Sequence, residues 1–264
     1  MQKYRSPEGE EGFKEGPGEK IIMKSPAGKQ NPGGTKKRAV VLISGGMDSA
    51  VCAAMARDEG FEIYALTLDY GQIHSREIQC AKKISRRLNL KKHLVMKVDL
   101  RQVGESALLG HGRVPKGRSA KAIGRGIPPT YVPARNTVFL SLALAWAEAL
   151  SAQAIFIGVN ALDFSGYPDC RPDYIRAFKS MAQLATKAGR EGKGPIIQTP
   201  LLRMTKAEII RKGMELGIDF SLTLSCYDPG TDGTPCGRCD ACILREKGFQ
   251  EAGLTDPLIK RMRS

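Results

Sequence analysis

The stretch that most constrains this chain is Ala39-Val40-Val41-Leu42-Ile43 followed at once by Ser44-Gly45-Gly46-Met47-Asp48-Ser49-Ala50. A short unbroken apolar run fits a strand buried on both faces, the condition of a parallel sheet. Two glycines then let the backbone turn tightly and come close to a ligand. A helical pattern follows over about residues 47–58 and ends near Gly60. The start of such a helix offers unpaired amides and the positive end of its dipole, which suits phosphate. Ser44 and Ser49 can add hydroxyl donors. Asp48 would be repelled by phosphate unless Mg2+ lies between them or its carboxylate caps the helix. The spacing is neither Walker A, which needs Gly-Lys-Ser/Thr after a longer loop, nor G-x-G-x-x-G. The plain alternative is an ordinary strand–turn–helix junction.

Strand and helix patterns alternate through the rest of the chain. Residues 62–68 read as a strand, and 74–89 as a helix with Ile78, Ala81, Ile84, Ser85 and Leu88 on one face. Residues 93–98 form a third strand, 135–150 an apolar helix and 154–158 a fourth strand. Pro172 starts another helix, and Ile196-Ile197 marks the last strand. Thr205-Lys206-Ala207-Glu208 has capping-box spacing, and the helix it opens should stop at Gly217. This order predicts an α/β fold, doubly wound around a mainly parallel sheet, over residues 38–220. Residues 1–37, rich in Gly, Pro, Lys and Glu, are expected to be a disordered basic extension. Residues 101–130 read as a long loop and 189–194 as a flexible basic link. Residues 221–264 form a distinct zinc-binding tail, expected to pack on the catalytic domain with a short helix after Asp240.

That tail holds Cys226, Cys236, Cys239 and Cys242, spaced C-x9-C-x2-C-x2-C. Turns of this length bring thiolates to metal-ligand distance. Four thiolates with no open position describe a structural zinc site, and an iron–sulfur cluster is the rival. Arg238, Arg245 and Lys247 could offset the excess negative charge. Cys52 and Cys80 fall on predicted helices and read as packing, whereas Cys170 lies in a polar loop.

The hexapeptide from Ser44 to Ser49 resembles the PP-loop, SGGxDS, of ATP-pyrophosphatases. Further segments narrow the likeness: Leu68-Asp69-Tyr70-Gly71-Gln72 with His74 and Glu77; Tyr131-Val132-Pro133-Ala134-Arg135-Asn136-Thr137; and Gly166-Tyr167-Pro168-Asp169-Cys170-Arg171-Pro172. With Thr199-Pro200-Leu201 before Lys206 and Ser225-Cys226-Tyr227, they are similar to one branch, the 7-cyano-7-deazaguanine synthases. The likeness runs from about Ala39 to Asp256 and leaves out the N-terminal extension. It implies an adenine nucleotide alpha hydrolase-like fold and a ligase forming a C–N bond. ATP would adenylate 7-carboxy-7-deazaguanine, and ammonia would displace AMP to give an amide. A second ATP would activate that amide, whose loss of AMP leaves the nitrile of queuosine- or archaeosine-type pathways.

The same resemblance assigns residues. ATP would lie on Ile43, Ser44, Gly45, Gly46, Met47, Asp48, Ser49, Ala50 and Asp69. Asp48, Lys206 and Arg135 would carry the chemistry: Lys206 as a point charge for phosphate, Arg135 as a fork for carboxylate or phosphate. Asn160, Tyr167, Asp169 and Arg171 would bind the guanine-like substrate. Each could equally hold a loop or an ion pair. His74 could be a base or a helix cap. Zn2+ and Mg2+ are the implied metals, a homodimer the implied assembly.

Two other readings compete. Lys and Arg number 41 against 27 Asp and Glu, a formal charge of +14. Such an excess attracts polyanions, so a PP-loop enzyme acting directly on tRNA, of the thiolase or lysidine synthase type, is the alternative. Against it, no separate RNA-binding domain is evident, and no obligatory nucleic acid is expected. A non-catalytic zinc module would explain the tail but not the phosphate loop. With no apolar run near the ~20 residues that span a bilayer and no secretory leader, a cytoplasmic location without membrane contact is expected.

Overall fold

The computed structural model describes residues 36–119, 122–123, 126–160 and 166–259. All but the last two residues of the expected basic extension lie outside that range. Five strands, β1 (Arg38–Leu42), β2 (Glu62–Asp69), β3 (Lys92–Lys97), β4 (Ala154–Phe156) and β5 (Ile196–Gln198), form one sheet ordered β3-β2-β1-β4-β5. Every pairing is parallel. β1 runs beside β2, with Arg38 opposite Glu62 and Leu42 opposite Leu66, and beside β4, with Val40 opposite Ile155.

The alternation of side chains along β1 builds two cores. Ala39, Val41 and Ile43 face one side, against helices α1 (Met47–Asp58), α2 (Arg76–Arg87), α6 (Lys206–Glu215) and α7 (Asp240–Ala252). Val40 and Leu42 face the other, against α3 (Arg135–Ala149) and α4 (Pro172–Ala185). Helices on both faces are why the strands read as continuous apolar runs. α1 is apolar nearly all round because the sheet lies on one side of it and α6 on the other. Its alanines, Ala50, Ala53, Ala54 and Ala56, are fully buried and let both neighbours approach.

The capping box at α6 forms as its spacing predicts. Thr205 Oγ1 accepts from the Glu208 amide at 3.3 Å, and the Thr205 amide donates to Glu208 Oε2 at 2.7 Å. Gly217 follows the helix in the left-handed region at φ +74°.

Two local expectations change. The expected link at 189–194 is shorter than read, because a single helical turn, α5 (Lys187–Arg190), takes in its first two residues, with Thr186 Oγ1 accepting from the Gly189 amide at 3.0 Å. The helix after Asp240 is not short. α7 runs 13 residues, since Phe249 finds an edge-to-face partner in Phe220 at 5.4 Å.

Candidate active site

The strand order reverses at β1. Its neighbours β2 and β4 lead their chains to opposite faces, opening a crevice beyond the strand ends where such sheets bind ligands. The loop after β1 occupies that crevice. Gly45 sits at φ +96°, and a Cβ there would lie 2.1 Å from the Glu77 carbonyl oxygen. Only glycine fits. Gly45→Ala is expected to cost about 2 kcal/mol or more, from backbone strain plus the clash, read as a lowered urea midpoint. Gly158, after β4, brings its backbone against Asp48 and Ser49, where a Cβ would meet Asp48 at 3.1 Å.

The loop's hydroxyls hold it in shape. Ser49 Oγ donates to the Gly46 carbonyl at 3.0 Å and accepts from the Ser44 amide at 3.2 Å. Ser44 Oγ accepts from the Gly46 amide at 3.3 Å. Gly46 precedes α1 with no side chain capping the helix, so Asp48 is not a cap. Instead Asp48 Oδ2 meets Lys206 Nζ at 2.5 Å and Asn160 Nδ2 at 3.3 Å, while its buried Oδ1 finds no hydrogen-bond partner among the described residues.

Beyond the loop lies a cavity of about 250 Å³. Ile43, Ser44, Gly46, Met47, Asp48, Ser49, Arg135, Tyr167 and Lys206 line it among the predicted residues. Arg135 opens α3 just after Ala134, whose left-handed backbone at φ +52° turns the chain inward. Its guanidinium lies 5.6 Å from the Tyr70 ring centre and 5.9 Å from that of Phe139, and it donates to Tyr70 Oη at 3.3 Å. Tyr167 Oη is 3.0 Å from Thr130 Oγ1 and 3.5 Å from Tyr227 Oη.

Other predicted residues lie elsewhere. Ala50 is in the core behind the loop, and Gly45 turns away against α2. Asn160 is fully buried on Asp48, one shell behind the cavity. Asp169 is buried and accepts from the Asn136 amide at 2.8 Å, anchoring the first turn of α3 and so the start of Arg135. Asp69 ends β2 outside the cavity lining. Arg171 is exposed, 3.9 Å from Asp173. Cys170 does line the cavity, with Asn136 Nδ2 donating to its Sγ at 3.0 Å. Ser75, not His74, precedes α2, and His74 meets the backbone of Cys226 and Tyr227.

Sequence reasoning did not assign Tyr70, Glu77, Phe139, Ser225, Tyr227 or Arg245 to the site, and all line the cavity. The signal for four of them was present: Tyr70, Glu77, Ser225 and Tyr227 stand inside the quoted segments. Burial pushes the Glu77 carboxyl up to about 7 from its ordinary 4.5, with Arg135 opposing. A carboxyl held above its ordinary value binds its proton more tightly in the folded state. Its contribution is therefore complete below about pH 4.5 and is lost as pH rises through about 7. Urea midpoints should show Glu77→Gln more stable than the parent at about pH 8 and not at about pH 4.

The four tail cysteines converge as predicted. Their sulfurs all lie within 4.8 Å of one another. Tetrahedral zinc with bonds of about 2.3 Å needs about 3.8 Å between sulfurs, so this set could hold a metal. Backbone amides already point at the sulfurs: Cys236 and Asp228 donate to Cys226 Sγ at 3.2 and 3.4 Å, and Cys239 to Cys236 Sγ at 3.4 Å. Two of the three cations expected to balance the thiolates are otherwise engaged. Arg245 is buried on Asp256 at 2.6 Å, and Lys247 reaches Glu251 at 3.6 Å. The segment 116–118 docks on the module, through an antiparallel backbone bridge between Lys116 and Cys239, a Lys116–Asp228 ion pair at 2.6 Å and an Arg118–Asp240 pair. The module also joins the phosphate loop, because the Leu224 amide donates to the Gly45 carbonyl at 2.9 Å.

The family model described as queuosine biosynthesis protein QueC matches residues 38–253. The 7-cyano-7-deazaguanine synthase of Geotalea daltonii is 60% identical over 230 residues, covering 87% of this chain and 99% of that protein. The enzyme of the same name from Desulfatibacillum aliphaticivorans is 57% identical over 84% of this chain and 96% of its own. Among solved structures, NMN synthetase from Francisella tularensis aligns over 86% of this chain and 83% of its own at 19% identity, with a TM-score of 0.45.

Proposed function

This chain belongs to the QueC family of queuosine biosynthesis proteins, and on that premise we propose that it makes 7-cyano-7-deazaguanine from 7-carboxy-7-deazaguanine, ammonia and ATP. One observation carries the reading. The phosphate loop, the Lys206–Asp48 pair and the aromatic, Arg135-bearing wall all open onto one cavity at the sheet's reversal point.

A carboxylate is a poor electrophile because its oxygen leaves badly. Adenylation supplies a better leaving group, and the site's work is to bind charge as pyrophosphate departs. The amides at the start of α1 receive the phosphates, and Lys206 places a fixed positive charge beside them. Arg135 holds the substrate carboxylate, and Tyr70, Phe139 and Tyr167 enclose the flat ring. Asp48 fits Mg2+, since its buried Oδ1 has an acceptor position to spare. When bound there, the ion would supply charge neutralisation at the phosphates. The cysteine module fits Zn2+ in a structural role. Homodimerisation and a cytoplasmic location belong to the same reading. Among the described residues no helix is long and apolar enough to cross a membrane.

Direct action on tRNA is the reading not favoured, since the curated relatives share the synthase name over nearly their full length. AMP release decides between them. It should depend on 7-carboxy-7-deazaguanine and be indifferent to tRNA; the reverse dependence would overturn the proposal.

A further inference from the structure

Two carboxylates line the cavity, and only one of them is engaged. Asp48 is held by Lys206 and Asn160. Glu77 stands in the first turn of α2, whose backbone abuts the phosphate loop at Gly45. Glu77 lines the cavity, and its carboxylate receives no hydrogen bond among the described residues. The groups that feel its charge are Arg135 from α3, Tyr70 after β2 and Cys80 on α2 itself. Glu77 is half-buried at the cavity wall, and a carboxylate so placed, with a cation beside it and no hydrogen bond fixing it, is available for chemistry there.

Resting on the function proposed above, we infer that Glu77 is the general base that takes protons from the reacting nitrogen. The chemistry requires such a group near the phosphate loop. In the first step the ammonia lone pair forms the C–N bond at the acyl adenylate. The C–O bond to AMP breaks with its electron pair on AMP, and one N–H proton passes to the Glu77 carboxylate. In the second step the amide oxygen displaces pyrophosphate from the α-phosphorus of ATP. The C–O bond to AMP then breaks as C≡N forms, and the nitrogen gives up two protons in turn. Nothing is oxidised or reduced. Glu77 returns each proton to water between steps. Its value, raised to about 7 by burial, suits a base working near neutral pH.

Adenylation itself needs no base, and this separates the roles. Glu77→Gln should retain ATP–pyrophosphate exchange dependent on 7-carboxy-7-deazaguanine, within a few-fold of the parent. Amide formation, compared at fixed free-ammonia concentration, should fall by about 10²–10⁴-fold. The parent's acid limb near pH 7 should vanish in the variant. Glu77→Asp, which keeps a carboxylate, should keep the limb at reduced rate and guards against a Gln variant that fails to fold. Loss of exchange in parallel with amide formation would overturn the inference and make Glu77 a binding or structural residue. Unimpaired amide formation would overturn it too. A parent enzyme without exchange would instead overturn the function on which the inference rests.

Discussion

Lys206→Met is expected to lower substrate-dependent pyrophosphate release by about 10²–10³-fold, the usual loss when one preorganised charge is removed from a developing anion. Lys206 is the first residue of α6, and the capping box fixes where that helix begins. Its Nζ is therefore delivered to the phosphate loop by backbone geometry, not by a flexible reach. The side chain is only 11% exposed and is tied to Asp48 at 2.5 Å. Methionine keeps the stem that packs near Gly248 and deletes only the charge. Lys206→Arg should not rescue, because a planar fork does not replace a compact ammonium in a confined place. The loss should fall mainly on kcat, since the charge matters most as pyrophosphate leaves. A variant with near-parental turnover would make Lys206 a structural partner of Asp48 alone.

Stripping the metal from the cysteine module should abolish activity outright, although no cysteine of the module is proposed to touch substrate. Ser225, Tyr227, Ala241, Leu244 and Arg245 all line the cavity, and all belong to the segment those thiolates gather. Structural zinc contributes free energy directly to folding, about 10 kcal/mol or more in isolated fingers. If half of that is lost here, Tm should fall by roughly 10–20 °C, at about 2–4 °C per kcal/mol for a chain of this size. Cys239→Ser should reproduce the effect, because that sulfur is fully buried among the other three. Elemental analysis, melting and turnover measured on one sample would check this. A protein that binds one metal, loses it to chelator and keeps full turnover would contradict it.

Much of the fold was legible because its signals are local. The apolar run at β1, the capping box at Thr205 and the glycines at 45 and 217 each state a backbone requirement within a few residues. The cysteine spacing is local in the same sense. The site was legible only in part, because what lines a cavity depends on contacts between distant segments. Asp169 reads as a ligand group from its neighbours, yet its carboxylate holds the start of α3, 33 residues away in sequence. Arg171 stands two residues further on and turns to solvent. Glu77 looks like an ordinary first-turn acid on an amphipathic helix. Only the packing of α2 against Gly45 brings it to the cavity. Arg245 lies beside the cysteines in sequence and reads as their counter-charge, but Asp256 and two carbonyls claim it. In each case residue type was informative and direction was not, since direction is set by tertiary packing.

The most direct test of the account is product identification. Folded, metal-loaded protein would be incubated with 7-carboxy-7-deazaguanine, ATP, Mg2+ and 15N-ammonium, and the products weighed by mass spectrometry. The account predicts 7-cyano-7-deazaguanine carrying one 15N, with AMP and pyrophosphate formed alongside it. An unchanged carboxylate, with no AMP dependent on it, would contradict the account.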